Sequence, residues 1–100
     1  MRREDVIRRL KSAEPAIRAR GADALYLFGS YARDEARSNS DIDVFVDKDP
    51  TRPFGFDEFM NVYEEIQQAL GKDLSIGYCT REGLSPFVRG EIENEAIKIF

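Results

Sequence analysis

The chain contains no histidine and only one cysteine, Cys79, among its 100 residues. A single thiol cannot form a disulfide within the chain, and the usual zinc sites need several histidine or cysteine ligands. These absences exclude a disulfide-stabilised fold and a standard zinc site. They also fit a reducing compartment, so we expect the protein to be cytoplasmic.

The chain also lacks a long apolar run and an excess of positive charge. No segment approaches the roughly 20 apolar residues that cross a bilayer, and residues 1–10 carry charges where a signal peptide needs an apolar stretch. The 15 Lys and Arg residues are outnumbered by 19 Asp and Glu residues, which gives a formal net charge of −4. We therefore expect no membrane association, and nucleic acid is a poor candidate for a partner.

The composition that remains is that of one globular domain. Hydrophobic residues make up 42% of the chain and charged residues 34%, which is ordinary for a soluble folded protein. A chain of 100 residues can bury one core and is too short for two. Because the sequence has no repeat and no linker, residues 1–100 are predicted to form a single domain.

Helical and strand patterns alternate along the chain. We predict helices over residues 3–20, 59–70 and 86–95. We predict strands over residues 24–28, 41–47, 73–80 and 97–100. Pro15 is expected to kink the first helix, and Ser30 is expected to cap a short helix after the first strand. This order of elements predicts an α/β domain whose sheet is covered by helices.

Gly29 and Ser30 directly follow the first predicted strand. At a strand-to-helix turn several backbone N–H groups lack partners, and small residues let an anion approach them closely. The pair is therefore a candidate phosphate-binding turn, although most such pairs are only turns with a helix cap. Arg33 lies just beyond it and is most simply a solvated residue, with phosphate contact as the alternative.

Asp41 and Asp43 lie two residues apart on the predicted strand 41–47, so both point to the same face. Carboxylates whose Cα atoms are about 6.5 to 7 Å apart can share hard cations. Aspartates at alternate strand positions are more often a solvated face, and Asp47 is expected to be a solvated strand end or a turn former. If the pair faces the candidate phosphate-binding turn, however, the two features form one site. The turn would bind the phosphates of a nucleoside triphosphate, and the carboxylates would bind a pair of Mg²⁺ ions.

The motif Gly29-Ser30, ten further residues and then Asp41-Ile42-Asp43 resembles the signature of the nucleotidyltransferase superfamily that includes DNA polymerase beta. LFGSYAR and SDIDVFV are similar to its minimal nucleotidyltransferase (MNT) branch. The first helix ending in Gly21 and the late segment TREGLSPFVRGEIENEA are also similar to that branch. The resemblance therefore covers nearly the whole chain.

The resemblance implies a polymerase beta-like nucleotidyltransferase fold, with a small mixed sheet and flanking helices. It implies that Gly29 and Ser30, with Arg33 as a further candidate, hold the phosphates of ATP or another nucleoside triphosphate. Asp41 and Asp43 would ligate Mg²⁺, and a nucleoside monophosphate would be transferred as pyrophosphate leaves. Minimal members are known as antitoxins that add AMP to a HEPN-domain toxin, so the implied acceptor is a hydroxyl of such a protein partner.

One position departs from the pattern, which has a third carboxylate on a neighbouring strand. Counting back from TREGLSP places Gly77 there, whereas counting forward from LGK places Asp73 there. Both residues share one face of the predicted strand 73–80, so both assignments stay open and Asp73 is a candidate catalytic residue. If Gly77 is the equivalent, triphosphate binding survives while transfer becomes slow. Asp34, where the branch commonly has glycine, is expected to alter only a turn.

Two classes of function remain. The first is an enzyme that nucleotidylates a partner, and the second is a weak or inactive nucleotidyltransferase fold that neutralises its partner by forming a complex. We expect no further domain to hold an acceptor, so both classes require another chain or self-association. The last helix, with Phe87 and Val88, is a candidate partner-binding patch, although the same residues also fit a core.

Overall fold

The computed structural model describes all residues from Met1 to Phe100 and has a four-stranded sheet at its centre. The strands are β1 (Ala22–Phe28), β2 (Ile42–Lys48), β3 (Ile76–Thr80) and β4 (Ile97–Lys98). Their spatial order is β3-β2-β1-β4. β1 is antiparallel to both of its neighbours, whereas β2 and β3 run parallel. The expected small mixed sheet with flanking helices is confirmed.

Five helices flank this sheet. They are α1 (Arg3–Ser12), α2 (Glu14–Ala19), α3 (Gly29–Ala32), α4 (Phe56–Leu70) and α5 (Arg89–Glu95). The predicted first helix is two helices, because the chain breaks at Ala13 and Pro15 lies in the first turn of α2. α4 begins earlier than predicted because the Glu58 carboxylate accepts the Gly55 N–H at 2.6 Å and stabilises an additional turn.

Several predicted boundaries were too wide. β3 begins at Ile76 because residues 72–74 form a turn. α5 begins at Arg89 because residues 85–88 form a separate turn closed on the Ser85 carbonyl. The helix after β1 is a single turn, and Asp34 follows it with a left-handed φ of 59°. Glycine adopts such a φ without strain, and aspartate tolerates it better than most residues, so Asp34 is compatible with this turn.

The sheet has one face covered by helices and one partly open face. Along β2, Ile42, Val44 and Val46 are fully buried on the covered face. They join the apolar residues of α1, α2 and α4 in a single core. Fully burying a side chain of this size contributes about 1.5 to 3 kcal/mol, so this face stabilises the fold. The alternate residues of β2 are left on the other face, as the sequence pattern predicts.

Arg81 covers the middle of the open face. Its guanidinium lies 4.9 Å from the ring centroids of both Phe45 and Tyr26, which stack on each other. The same group pairs with Asp47 at 2.7 Å and with Glu93 of α5, and these carboxylates raise the pKa of Arg81. Asp47 is therefore not the solvated strand end that we expected, because it holds the residue that connects α5 to the sheet. None of the five helices could span a lipid bilayer, and the longest of them, α4, has 15 residues.

Candidate active site

The Gly-Ser turn, residues 29–30, lies where β1 passes into α3. Gly29 has a φ of 74°, in the left-handed region that glycine adopts without strain. A Cβ at this position would lie less than 3.0 Å from Oδ2 of Asp43. Glycine thus allows the Asp43 carboxylate to lie directly against the turn. Phe28, not Ser30, is the cap residue of α3, and Ser30 makes no capping hydrogen bond, so the predicted capping role was wrong.

Asp43 lies near the start of β2, between two glycines. Its register partner on β3 is Gly77, where a Cβ would lie less than 3.0 Å from Oδ1 of Asp43. The carboxylate therefore occupies the space that side chains at positions 29 and 77 would need. Burial raises the pKa of Asp43, Asp41 raises it further, and Arg33 opposes the shift.

Gly77 and Asp73 have different positions relative to this carboxylate. Gly77 lies directly opposite Asp43 in the parallel register of β2 and β3. Asp73 is exposed in the turn of residues 72–74, before β3 begins, so the predicted strand face that joined it to Gly77 does not extend that far. The catalytic role of Asp73 stays a prediction, without support from the strand register.

Asp41 and Asp43 are the candidate ligands of a divalent cation. Asp41 is exposed immediately before β2, and its charge destabilises the ionised form of Asp43. A cation relieves this repulsion. No group of three His, Cys, Asp or Glu side chains is arranged to hold a metal. Mg²⁺ commonly takes one or two carboxylates and completes its coordination with water and substrate phosphate oxygens, so the chemistry of this pair is compatible with Mg²⁺.

Glu95 is a site residue that the sequence interpretation missed. It is the last residue of α5, and its carboxylate accepts the Gly29 N–H at 3.1 Å and pairs with Arg33 at 3.1 Å. Arg33 also pairs with Glu35 at 2.7 Å, and the Glu35 and Glu95 carboxylates raise the pKa of Arg33. Arg33 is therefore directed at the Gly-Ser turn. No local pattern marks Glu95, because the contact joins residues 66 positions apart.

The site combines a strand-to-helix turn, an arginine beside it, one carboxylate on the adjacent antiparallel strand and a second carboxylate immediately before that strand. This arrangement on a small mixed sheet defines a nucleotidyltransferase fold. The family model for Polymerase beta, Nucleotidyltransferase matches residues 9–100. The chain belongs to the polymerase beta-like nucleotidyltransferases, whose members typically use Mg²⁺ and a nucleoside triphosphate.

Similar proteins narrow this description. The chain is 34% identical over 77 residues to MJ1379 of Methanocaldococcus jannaschii, a candidate protein adenylyltransferase, and the match covers 76% of this chain and 75% of the relative. The solved structure of a candidate minimal nucleotidyltransferase has a TM-score of 0.78 at 27% identity, covering 97% of this chain and 95% of that one.

Two more distant structures come from toxin–antitoxin complexes. A chain of a complex solved with AMP-PNP has a TM-score of 0.66 at 18% identity, covering 90% of this chain and 72% of that one. A chain from the complex of the tri-AMPylated Shewanella oneidensis HEPN toxin with its MNT antitoxin has a TM-score of 0.58 at 16% identity, with coverages of 90% and 68%. At these identities the likeness shows the fold alone.

Proposed function

We propose that this protein transfers AMP from ATP to a hydroxyl of a protein partner in a Mg²⁺-dependent reaction. The observation that carries the proposal is the Asp43 carboxylate lying against the Gly29 turn, where the phosphates of a nucleotide and a divalent cation would meet. Family membership supports nucleotidyl transfer, and similarity to MJ1379 supports a protein acceptor. The complexes with AMP-PNP and with an AMPylated toxin support the choice of AMP.

The site residues have separable roles in this reaction. The Gly29 N–H and the Ser30 hydroxyl bind the terminal phosphates, and the Arg33 guanidinium adds a charged contact. Asp41 and Asp43 would hold Mg²⁺, which when bound stabilises the charge on the attacking and leaving oxygens. The partial burial of Asp43 strengthens these electrostatic interactions because less water screens them. Position 77 offers no side chain to activate the acceptor hydroxyl.

We also propose that the partner is a HEPN-domain toxin and that it contacts Phe87 and Val88. Phe87 is 94% exposed and Val88 41% exposed in the turn before α5, so neither belongs to the core. The similarity to chains of toxin–antitoxin complexes supports this kind of partner. We expect Phe87→Ser to keep the fold and triphosphate binding and to lose co-elution with the toxin. Unchanged co-elution would contradict the assignment of this patch.

The second candidate function is neutralisation by binding alone, and Gly77 is the observation that favours it. The residue opposite Asp43 on β3 has no carboxylate, so the chain provides neither a third metal ligand nor a base at that position. A site with two carboxylates can bind a triphosphate while transferring its nucleotidyl group slowly. In that case the complex itself would inhibit the partner.

Intact-mass spectrometry of the partner distinguishes these functions. A HEPN-domain protein from the same genome is incubated with this protein, Mg²⁺ and each nucleoside triphosphate in turn. We expect mass increments of whole AMP units with ATP, none with Asp43→Asn, and unchanged increments with Asp57→Asn, which removes an exposed carboxylate from the start of α4. Incubation of this protein alone tests a second copy as acceptor.

Each outcome of this experiment has a distinct meaning. An unmodified partner that co-elutes with this protein and loses its activity would establish neutralisation by binding. A partner that is neither modified nor bound would contradict both candidate functions. Mass increments of the partner with a nucleoside triphosphate other than ATP would support the transferase function and replace adenine with another base as the preferred one.

A further inference from the structure

Glu95 makes the contacts that a bound phosphate would need. One carboxylate oxygen accepts the Gly29 N–H at 3.1 Å. Both oxygens lie within 3.3 Å of the same Arg33 guanidinium nitrogen. A backbone N–H at a strand-to-helix turn and a guanidinium are also the usual donors to a phosphate group. In the protein without nucleotide, the Glu95 carboxylate therefore occupies the hydrogen-bond donors at the Gly-Ser turn, the Gly29 N–H and the Arg33 guanidinium.

A triphosphate and the Glu95 carboxylate cannot share these donors. Gly29 has a single N–H, and the charges of two anions at this turn would repel each other. The side chain of Glu95 is 26% exposed, so it can turn out to solvent by rotation about its own bonds.

We propose that Glu95 is an internal competitor for the terminal phosphate, which occupies the Gly29 N–H and Arg33 until a triphosphate displaces it. This proposal rests on the function proposed above and adds a device that sets the affinity of its site. It makes triphosphate binding weaker than the donors alone would allow. It also means that triphosphate binding breaks the hydrogen bond between the Gly29 N–H and Glu95, which joins the end of α5 to the turn.

Calorimetric titration with inorganic tripolyphosphate and Mg²⁺ tests the proposal without any transfer reaction. Glu95→Gln removes the competing charge, so we expect its affinity to exceed that of the wild type by about threefold to tenfold, as for the loss of an exposed charged contact. Glu35→Gln is the matched control, because Glu35 pairs with the same guanidinium at 2.7 Å but does not touch Gly29. We expect it to change the affinity by less than about twofold.

The outcomes separate this proposal from the function on which it rests. Equal or weaker affinity in a folded Glu95→Gln variant would show that Glu95 only positions the turn, and an equal gain in Glu35→Gln would show a general effect of charge. Either result overturns the proposal while wild-type binding still supports the site. If no variant and no wild-type protein binds tripolyphosphate, the proposed function fails as well.

A measurement on the wild-type protein avoids the effect of a substitution on folding. The side-chain carboxylate ¹³C resonance of Glu95 reports whether it accepts hydrogen bonds. We expect this resonance to move toward that of Glu91, an exposed residue of the same helix, when tripolyphosphate and Mg²⁺ are added. A resonance that stays in place at saturation would overturn the proposal.

Discussion

Asp43→Asn is expected to abolish Mg²⁺-dependent ATP binding and to raise the melting temperature of the protein without nucleotide. Binding is lost because Asp43, which lies between Gly29 and Gly77, is one of the two carboxylates that would hold Mg²⁺ beside the turn. We expect the affinity to fall by on the order of a hundredfold. Stability rises because the variant removes a partly buried charge that Asp41 repels.

Titration calorimetry with ATP and Mg²⁺, together with thermal melting, measures both effects. Asp57→Asn serves as the control, since it removes one charge from an exposed helical position and is expected to leave ATP affinity unchanged. A lower melting temperature in Asp43→Asn would mean that the carboxylate has a structural role. Unchanged ATP affinity would remove Asp43 from the metal site.

The Asp43 carboxylate also makes the free energy of unfolding depend on pH. The pKa of Asp43 in the folded protein is raised above its ordinary value of 3.8, by burial first and by Asp41 second. The folded protein therefore holds this proton more tightly than the unfolded chain does. The resulting stabilisation is complete below pH 3.8 and is lost as the pH rises through the folded pKa.

Chemical denaturation at several pH values measures this contribution. We expect the unfolding free energy of the wild type, relative to that of Asp43→Asn, to decline as the pH rises above 3.8. Parallel profiles for the two proteins would contradict the raised pKa of Asp43. Mg²⁺ is omitted from these measurements, because its binding would stabilise the ionised carboxylate and reduce the decline.

The parts of the fold that depend on local patterns could be predicted from the sequence. The alternation along β2 correctly placed Val44 on the covered face and Asp43 on the open face. Gly29 ends β1 as expected, because a turn with a φ of 74° requires a residue without a side chain. The conjunction of these two features was sufficient to identify the family, although each of them is common by itself.

The parts that depend on long-range packing could not be predicted. The turn of residues 72–74 shortens β3, so that Gly77 lies opposite Asp43 while Asp73 lies outside the strand. The Glu95 contact depends on where α5 lies relative to β1, and no spacing in the sequence encodes that distance. The same holds for Arg81, whose contacts with the open face involve residues from three other elements.

Gly29→Ala is expected to lower both the stability and the ATP affinity, through two separable effects. An alanine at a φ of 74° is strained by about 1 to 2 kcal/mol. For a domain of this size, that strain lowers the melting temperature by roughly 5 to 15 °C. The new Cβ would also lie less than 3.0 Å from Oδ2 of Asp43, so the carboxylate must move away from the turn. Misplacing a functional group by about 1 Å can reduce activity about a hundredfold.

Gly77→Ala isolates the second effect, because Gly77 has no positive φ and the atoms nearest to its Cβ would all belong to Asp43. Alanine is about 0.5 to 1 kcal/mol better than glycine inside a strand, so we expect this variant to keep its melting temperature while losing ATP affinity. Gly90→Ala is the control, since a Cβ there would meet nothing within 4 Å. Calorimetry and thermal melting of the three variants test this expectation.

Wild-type ATP affinity in Gly77→Ala would show that ATP binding does not require the Asp43 carboxylate to occupy the space beside Gly77. Loss of stability equal to that of Gly29→Ala would instead show that the two glycines are required for packing rather than for the site. The expected result, lost affinity with retained stability, would show that the Asp43 carboxylate needs the space beside Gly77 in order to bind ATP. A Cβ at position 77 would lie less than 3.0 Å from Oδ1 of Asp43, so a side chain there would displace the carboxylate from the position that it has in this structure.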